Sequence, residues 1–327
     1  MKLSIVTTLY YSAPYLKEFY ARISSEAEKI TDDYEIIFVN DGSPDDSSNV
    51  VLSLFEKEKD QKVRLIELSR NFGHHKAIIT GLKYAKGDLV FLIDCDLEEE
   101  PELLGKFYSL MQDSRPDIVY GVQISRKGAW FEKISGYVFW QLLNWLSSCS
   151  IVPNQLTARL MTQEFVASLL LHEEREVFLA GLFDITGFKQ MPVKVRKFSK
   201  GVTTYTLRKK IALFVNAVTA FSSSPLIFNF YFGLLIIVVS LTTAFYLVVR
   251  SIFFGDYLLG WPSLIVSIWL LGGLTIFSLG IIGIYISKVF VETKRRPLTI
   301  IREIHNFSDQ STGYSNSMKS DPVRFYD

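Results

Sequence analysis

The 327 residues carry 35 Lys and Arg against 34 Asp and Glu, and a net charge of +1 excludes a global electrostatic pull toward nucleic acid. A mean hydropathy of +0.21 with 14% aromatic residues is unusual for a purely soluble enzyme and points to a membrane part. The two cysteines, Cys95 and Cys149, exclude a disulfide framework; Cys95 sits inside an acidic motif, so the soluble part is expected to face a reducing cytosol.

The first residues, Met1 to Val6, enter a strand directly and lack the long apolar core of a secretory signal. Apolar runs at 3–8, 34–39, 63–68, 89–93 and 118–120 read as strands, and amphipathic stretches at 14–30, 45–59, 73–86 and 102–112 read as the helices between them. This alternation predicts an α/β fold with a mostly parallel sheet flanked by helices. Ligands in such sheets bind beyond the carboxyl ends of the strands. Three informative segments fall there: Thr7 to Tyr11, Asn40 to Ser43, and Asp94 to Glu98.

Asn40-Asp41-Gly42-Ser43-Pro44-Asp45 reads as a turn with Ser43 or Asp45 capping the next helix, and Asp41 is placed to accept from the imide N–H of a uracil ring. Ser69-Arg70-Asn71-Phe72-Gly73-His74-His75-Lys76 opens a helix, where backbone N–H groups with Arg70 and Lys76 favour a diphosphate. The paired histidines lack the further ligands of a zinc site nearby in sequence and read as packing or polar contacts. The run Leu89 to Ile93 ends in Asp94-Cys95-Asp96-Leu97-Glu98. If the extended form continues, Asp94, Asp96 and Glu98 project to one side and repel unless a hard cation, Mg²⁺ or Mn²⁺, neutralises them. The bland reading is an acidic, solvated loop before the helix near Pro101. Further on, Arg126, Lys127, Lys133 and Ser135 interleave with Trp130 and Phe131, which suits a surface meeting lipid headgroups and gripping one phosphate; a solvated amphipathic helix is equally economical.

Composition divides the chain into a cytoplasmic catalytic domain at 1–204, an interfacial amphipathic helix and break at 205–225, and spans at 226–250 and 261–287. An extracytoplasmic loop at 251–260 joins the spans, and 288–327 forms a cytoplasmic segment ending in a mobile tail. No charged residue occurs from Ile211 to Val249. Arg208, Lys209 and Lys210 precede the first span, and Lys288, Lys294, Arg295 and Arg296 follow the second, so the positive-inside rule places both ends in the cytoplasm.

In order and spacing, Val39-Asn40-Asp41-Gly42-Ser43, Ser69-Arg70-Asn71-Phe72-Gly73 and Asp94-Cys95-Asp96-Leu97-Glu98-Glu99-Glu100-Pro101-Glu102 resemble the inverting family-2 glycosyltransferases. Within them the chain is similar to the polyprenyl-phosphate group that includes dolichol-phosphate mannose synthases and the bacterial glucosyl-undecaprenyl-phosphate synthases of O-antigen modification. The resemblance implies a GT-A fold, a nucleotide-sugar donor, a divalent cation on Asp94, Asp96 and Glu98, and a lipid phosphate acceptor. It further implies the bacterial inner membrane as location, homo-oligomers such as tetramers, and no nucleic-acid partner. The donor falls to Thr8, Tyr10, Asp41, Arg70, Lys76 and Asp94. The acceptor phosphate falls to Arg126, Lys133, Ser135, Thr203, Tyr205 and Arg208, and catalysis to Asp96, Arg159 and Thr157.

Four departures stand out. Thr8-Leu9-Tyr10-Tyr11-Ser12 replaces the family's Pro-x-Tyr-Asn-Glu, Glu98 replaces a Gln, and Thr203 replaces a Ser in Gly201-Val202-Thr203-Thr204-Tyr205. In Leu156-Thr157-Ala158-Arg159-Leu160, Thr157 stands where the family carries an acidic residue often assigned as base. A phosphomonoester, with a second pKa of about 6, is already largely dianionic at neutral pH and attacks without proton removal. A lipid phosphate acceptor therefore tolerates Thr157; a sugar hydroxyl would need a base nearby, and a binding protein without turnover would need neither.

Overall fold

The structure, a computed structural model, describes residues 1–58, 62–124, 141, 152–197, 218–219, 222–254 and 260–306. The leading strands β1 (Leu3–Leu9) and β2 (Tyr34–Asn40) are buried along nearly their whole lengths, as apolar strands covered on both faces must be. Between them runs α1 (Leu16–Glu28), followed by α2 (Ser47–Glu58), β3 (Val63–Leu68), α3 (His74–Tyr84), β4 (Leu89–Leu92) and α4 (Leu103–Ser114). Then come β5 (Ile118–Gln123), β6 (Gln155–Thr162), α5 (Gln163–Leu170), α6 (Leu179–Ile185) and β7 (Gln190–Val195). Two long helices, α7 (Ser224–Phe254) and α8 (Trp261–Thr293), precede the last strand, β8 (Ile301–Asn306).

The sheet order is β7-β5-β6-β4-β1-β2-β3-β8. Strands β1 to β4 pair in parallel, whereas β6 runs antiparallel to both β4 and β5, and β8 antiparallel to β3. The sheet is therefore mixed rather than mostly parallel in its pairing. The five strands expected from apolar runs are all present, but β6, β7 and β8 carry too many polar residues to announce themselves. The antiparallel insertion has one functional result: the amino end of β6, with Thr157 and Arg159, lies at the same edge as the carboxyl end of β4, where Leu92 pairs with Arg159.

Side chains alternate across the strands and build two cores. On one face Ile5, Phe38 and Phe91 meet Phe19 of α1 and Phe107 of α4, with ring pairs edge-on at 6.3 Å. On the other, Val6, Val39 and Leu92 pack with Ile79 of α3 and Phe165 of α5. A Cβ on Gly81 would come within 2.5 Å of Val6, so glycine lets α3 sit close on β1 and fixes where its amino end points.

Ser267–Thr293 within α8 is long and apolar enough to cross a membrane, and none of its apolar stretch is buried. Trp269, at 79% exposure, and Phe277 face outward, which suits hydrocarbon and not water. In α7, Ser224–Ser240 forms a shorter apolar stretch. The two helices meet where Ser278 Oγ donates to Asn229 Oδ1 at 2.8 Å, and Tyr285 Oη donates to the Ser222 carbonyl at 2.6 Å. Beyond α8 the chain returns to the sheet. Besides the β3–β8 ladder, Ser69 N–H donates to Ile300 O at 2.8 Å, Arg302 donates to Ser69 O at 2.9 Å, and the Thr80 and Thr299 hydroxyls lie 2.7 Å apart.

Candidate active site

The carboxyl ends of β1, β2 and β4 converge, as strand ends do in a sheet of this handedness. After β2, Gly42 sits at φ +62 with its Cα so close to the next loop that a Cβ would fall 2.5 Å from Arg70 C and Asn71 N. This contact lets Asp41 reach that loop. Its carboxylate, 3% exposed, accepts from Phe72 N–H at 2.7 Å and Gly73 N–H at 3.0 Å. Burial pushes the Asp41 pKa up, against the lowering effect of those two donors. Both oxygens thus help to hold the entry to α3, and each keeps a lone pair for a further donor. Asp45 takes the capping role, receiving Ser47 N–H at 3.2 Å at the start of α2.

At the end of β1, Tyr10 is half exposed and stands edge-on to Tyr11, with ring centroids 4.9 Å apart. Tyr11 adopts φ 56, and its N–H donates to Ser43 Oγ at 2.8 Å. The Arg70 guanidinium lies over the Phe72 ring at 4.2 Å. Lys76 occupies the first turn of α3, its N–H bonded to Gly73 O. Thr8 Oγ1 lies 3.1 Å from His74 Nδ1, and His74 Nε2 lies 3.5 Å from Asp94 Oδ1. His75 turns away to Val177 O at 3.1 Å, and burial holds its pKa low. The paired histidines therefore serve two different partners and share no metal position.

The strand does not continue through the acidic motif. β4 ends at Leu92, the chain turns, and Leu97 adopts φ 61. Asp94, Asp96 and Glu98 consequently do not line one side: Asp94 faces His74, Asp96 accepts from Glu98 N–H at 3.0 Å, and Glu98 pairs with Lys197 at 3.1 Å. Burial raises the Asp96 pKa, and the neighbouring Asp94 and Glu98 add to the rise. Among the described residues, metal-type ligand atoms lie mutually within 4.8 Å at Glu67, Glu303 and His305, on the β3–β8 edge rather than in the acidic turn.

The turn instead sends Glu99 inward. Its carboxylate, 1% exposed, accepts from Ala158 N–H at 2.6 Å and Thr157 N–H at 3.2 Å, with Lys197 at 3.9 Å. Burial first, then the Asp94 charge, pushes its pKa up to about 7. Burial disfavours the charged Lys197 ammonium, but Glu99 and Glu98 outweigh it and raise its pKa. Arg159, 4% exposed, donates to Leu156 O at 2.8 Å and Thr157 O at 3.2 Å and lies over the Phe183 ring at 3.7 Å. Burial lowers its pKa to about 10, against the favourable charge of Glu99. Arg159 is thus held within the fold beneath the turn. Sequence reasoning missed Glu99 and Lys197. Glu99 lay hidden because a strand reading alternates past it, and Lys197 because it lies about a hundred residues away, within the run of basic residues from Arg196 to Lys210 that precedes the first long apolar stretch. Arg126, Lys133, Ser135, Thr203, Tyr205 and Arg208 lie outside the described residues.

Residues 4–165 match the model of glycosyl transferase family 2. A relative in Mycobacterium tuberculosis (strain CDC 1551 / Oshkosh), described among glycosyltransferases, is 51% identical over 98% of this chain and 93% of its own length. The chain belongs to glycosyl transferase family 2. The glycosyltransferase YkcC of Bacillus subtilis (strain 168) is 32% identical over 94% of this chain and 95% of its own length. A prophage bactoprenol glucosyl transferase homolog of Escherichia coli (strain K12) is 31% identical over 93% of this chain and 99% of its own. The similarity of this family-2 glycosyltransferase to these relatives therefore runs along nearly the whole chain, beyond residues 4–165.

Proposed function

We propose that this enzyme transfers a hexose from a nucleotide sugar, UDP-linked, to undecaprenyl or a similar polyprenyl phosphate at the cytoplasmic face of a bacterial inner membrane, with inversion. The observation that carries the proposal is the union, in one chain, of an acidic strand-end turn beside α3 with an outward-facing apolar helix. Near-full-length similarity to a bactoprenol glucosyl transferase homolog supports the acceptor class. The return of β8 to β3 keeps the end of α8 on the side of the sheet, as expected if α7 and α8 form two spans with both ends in the cytoplasm.

Asp94 and Asp96 are partly exposed carboxylates, the hard oxygen donors that Mg²⁺ or Mn²⁺ takes, whereas Glu98 is paired with Lys197. A cation held there would supply charge stabilisation for the departing diphosphate. The chain's own work is alignment. The loop fixed by Asp41 presents Arg70, Lys76 and the first N–H groups of α3, while Tyr10 offers an exposed ring to the base. An acceptor already dianionic needs no proton removed, so Thr157 suffices at its position. Arg126, Lys133, Ser135, Thr203, Tyr205 and Arg208 are the proposed acceptor-phosphate residues.

A second reading, transfer to a glycolipid hydroxyl, gains one observation: Glu99 places a carboxylate with a pKa of about 7 beside Thr157. Against it, both Glu99 oxygens already serve backbone donors, and the side chain is sealed from solvent. The deciding experiment incubates the purified protein with a panel of labelled nucleotide sugars and undecaprenyl phosphate or a glycolipid bearing a free hydroxyl, with and without Mn²⁺. Metal-dependent label on undecaprenyl phosphate supports the first reading. Label on the hydroxyl lipid alone replaces it, and nucleotide binding without product rejects both.

A further inference from the structure

The loop between β3 and α3 is held from two sides. Its second half rests on Asp41, which receives Phe72 N–H and Gly73 N–H. Its first residue, Ser69, is held from the far end of the chain: Ser69 N–H donates to Ile300 O at 2.8 Å, and Arg302 Nη2 donates to Ser69 O at 2.9 Å. Both main-chain groups of Ser69 are therefore bonded to the segment after α8, which lies beyond the residues 4–165 that match glycosyl transferase family 2. The Thr299 and Thr80 hydroxyls lie 2.7 Å apart, and Thr80 Oγ1 donates at 2.9 Å to the carbonyl of Lys76 in the first turn of α3. Leu298 and Ile301 pack against the same apolar core as Phe72, whose ring carries the Arg70 guanidinium. The β3–β8 ladder shifts register between Glu67 and Leu68, just before the loop, and such irregularities re-aim a chain beside a site.

We propose that residues 298–302 are a clamp that sets the donor loop, with Arg302 as a positioning residue for nucleotide binding. The inference rests on the donor reading above, in which Arg70, Lys76 and the first N–H groups of α3 meet the diphosphate, and deepens it. A loop already held in its binding shape loses less affinity to ordering when the ligand arrives. Only residues 294–300 separate α8 from β8, so the clamp ties the shape of this loop to the membrane-length helix as well as to the sheet. A plain edge ladder would stabilise the fold and leave nucleotide affinity unchanged.

The test titrates the full chain in detergent with UDP, GDP and dTDP by calorimetry, with and without Mn²⁺, and follows the tightest nucleotide in the variants. The Arg302 side chain is exposed, so Arg302→Met should melt as the wild type does. It is expected to weaken the nucleotide about three- to tenfold, the scale of one hydrogen bond from a charged group. Arg302→Lys keeps a charged donor for Ser69 O and should recover part of the loss. Arg64 supplies the comparison, because its Nε donates to Asn306 Oδ1 at 2.9 Å at the opposite end of the same ladder. Arg64→Met is expected to lower the melting temperature and keep the affinity. If Arg302→Met melts early, Thr299→Val takes its place, with an expected loss of about two- to fivefold. Unchanged affinity in the clamp variant, or an equal loss in Arg64→Met, overturns the inference and leaves the donor reading intact. A wild-type chain that binds none of these nucleotides removes both.

Discussion

Asp41 and the acidic turn flank β1 at one edge of the sheet, yet they use their carboxylates in opposite ways. Asp41 receives two backbone N–H groups and is nearly sealed from solvent. In the turn, Asp94 stands beside a histidine, Asp96 accepts from one backbone N–H, and Glu98 pairs with the Lys197 ammonium. A buried carboxylate that receives two main-chain donors helps hold a fold together. One left with few donors beside like charges is available for a ligand that brings positive charge. Glu99 shows that the two behaviours occur one residue apart.

The comparison breaks most visibly at Asp96. Asp96→Ala should lower sugar transfer by about 10²–10³-fold or more with the melting temperature unchanged, read as labelled lipid product. A variant that keeps activity in chelated membranes would put Asp96 on the structural side with Asp41. Conversely, Asp41→Ala leaves two buried N–H groups without acceptors and should cost about 2–4 kcal/mol of stability, seen as a lower melting midpoint; Asp41→Asn should recover part of it. An Asp41→Ala protein that melts normally but no longer binds nucleotide would return Asp41 to the donor site.

A smaller effect is expected at Gly42, where φ +62 and the close approach to Arg70 both oppose a side chain. Gly42→Ala should cost about 1–3 kcal/mol by thermal melt and weaken nucleotide binding in parallel, because it shifts the loop that Asp41 holds. The finest test is pH. The Glu99 pKa, raised to about 7 from an ordinary 4.5, means the folded chain binds more protons than the unfolded chain between those values. Its contribution to stability is therefore greatest at low pH and is lost as pH rises through 7. In melts from pH 5 to 8 without added metal, Glu99→Gln should flatten that decline; an unchanged slope would show that Lys197 and the two backbone donors already keep Glu99 ionised.

Much of this was legible because it is periodic or compositional. The apolar runs of β1 to β5 and the amphipathic α1 to α4 declare themselves, and so does α8, since an uncharged stretch of that length has few other homes. The strand-end motifs were placed at the right edge for the same reason. What periodicity mislaid was the acidic turn. Two-residue alternation grouped Asp94, Asp96 and Glu98, but β4 ends at Leu92 and Leu97 takes a left-handed conformation, so the alternation does not run through them.

The sequence by itself determined which residues are apolar and at what spacing, and hence the layered fold, the membrane-length helix and the edge at which charge gathers. Only the tertiary structure decided the partners. β6 had to insert antiparallel beside β4 before Thr157 and Ala158 could meet Glu99, and the chain beyond β7 had to return before Lys197 could meet Glu98. The physical reason is that burial and pairing depend on contacts between residues 58 to 99 positions apart, which no local pattern encodes.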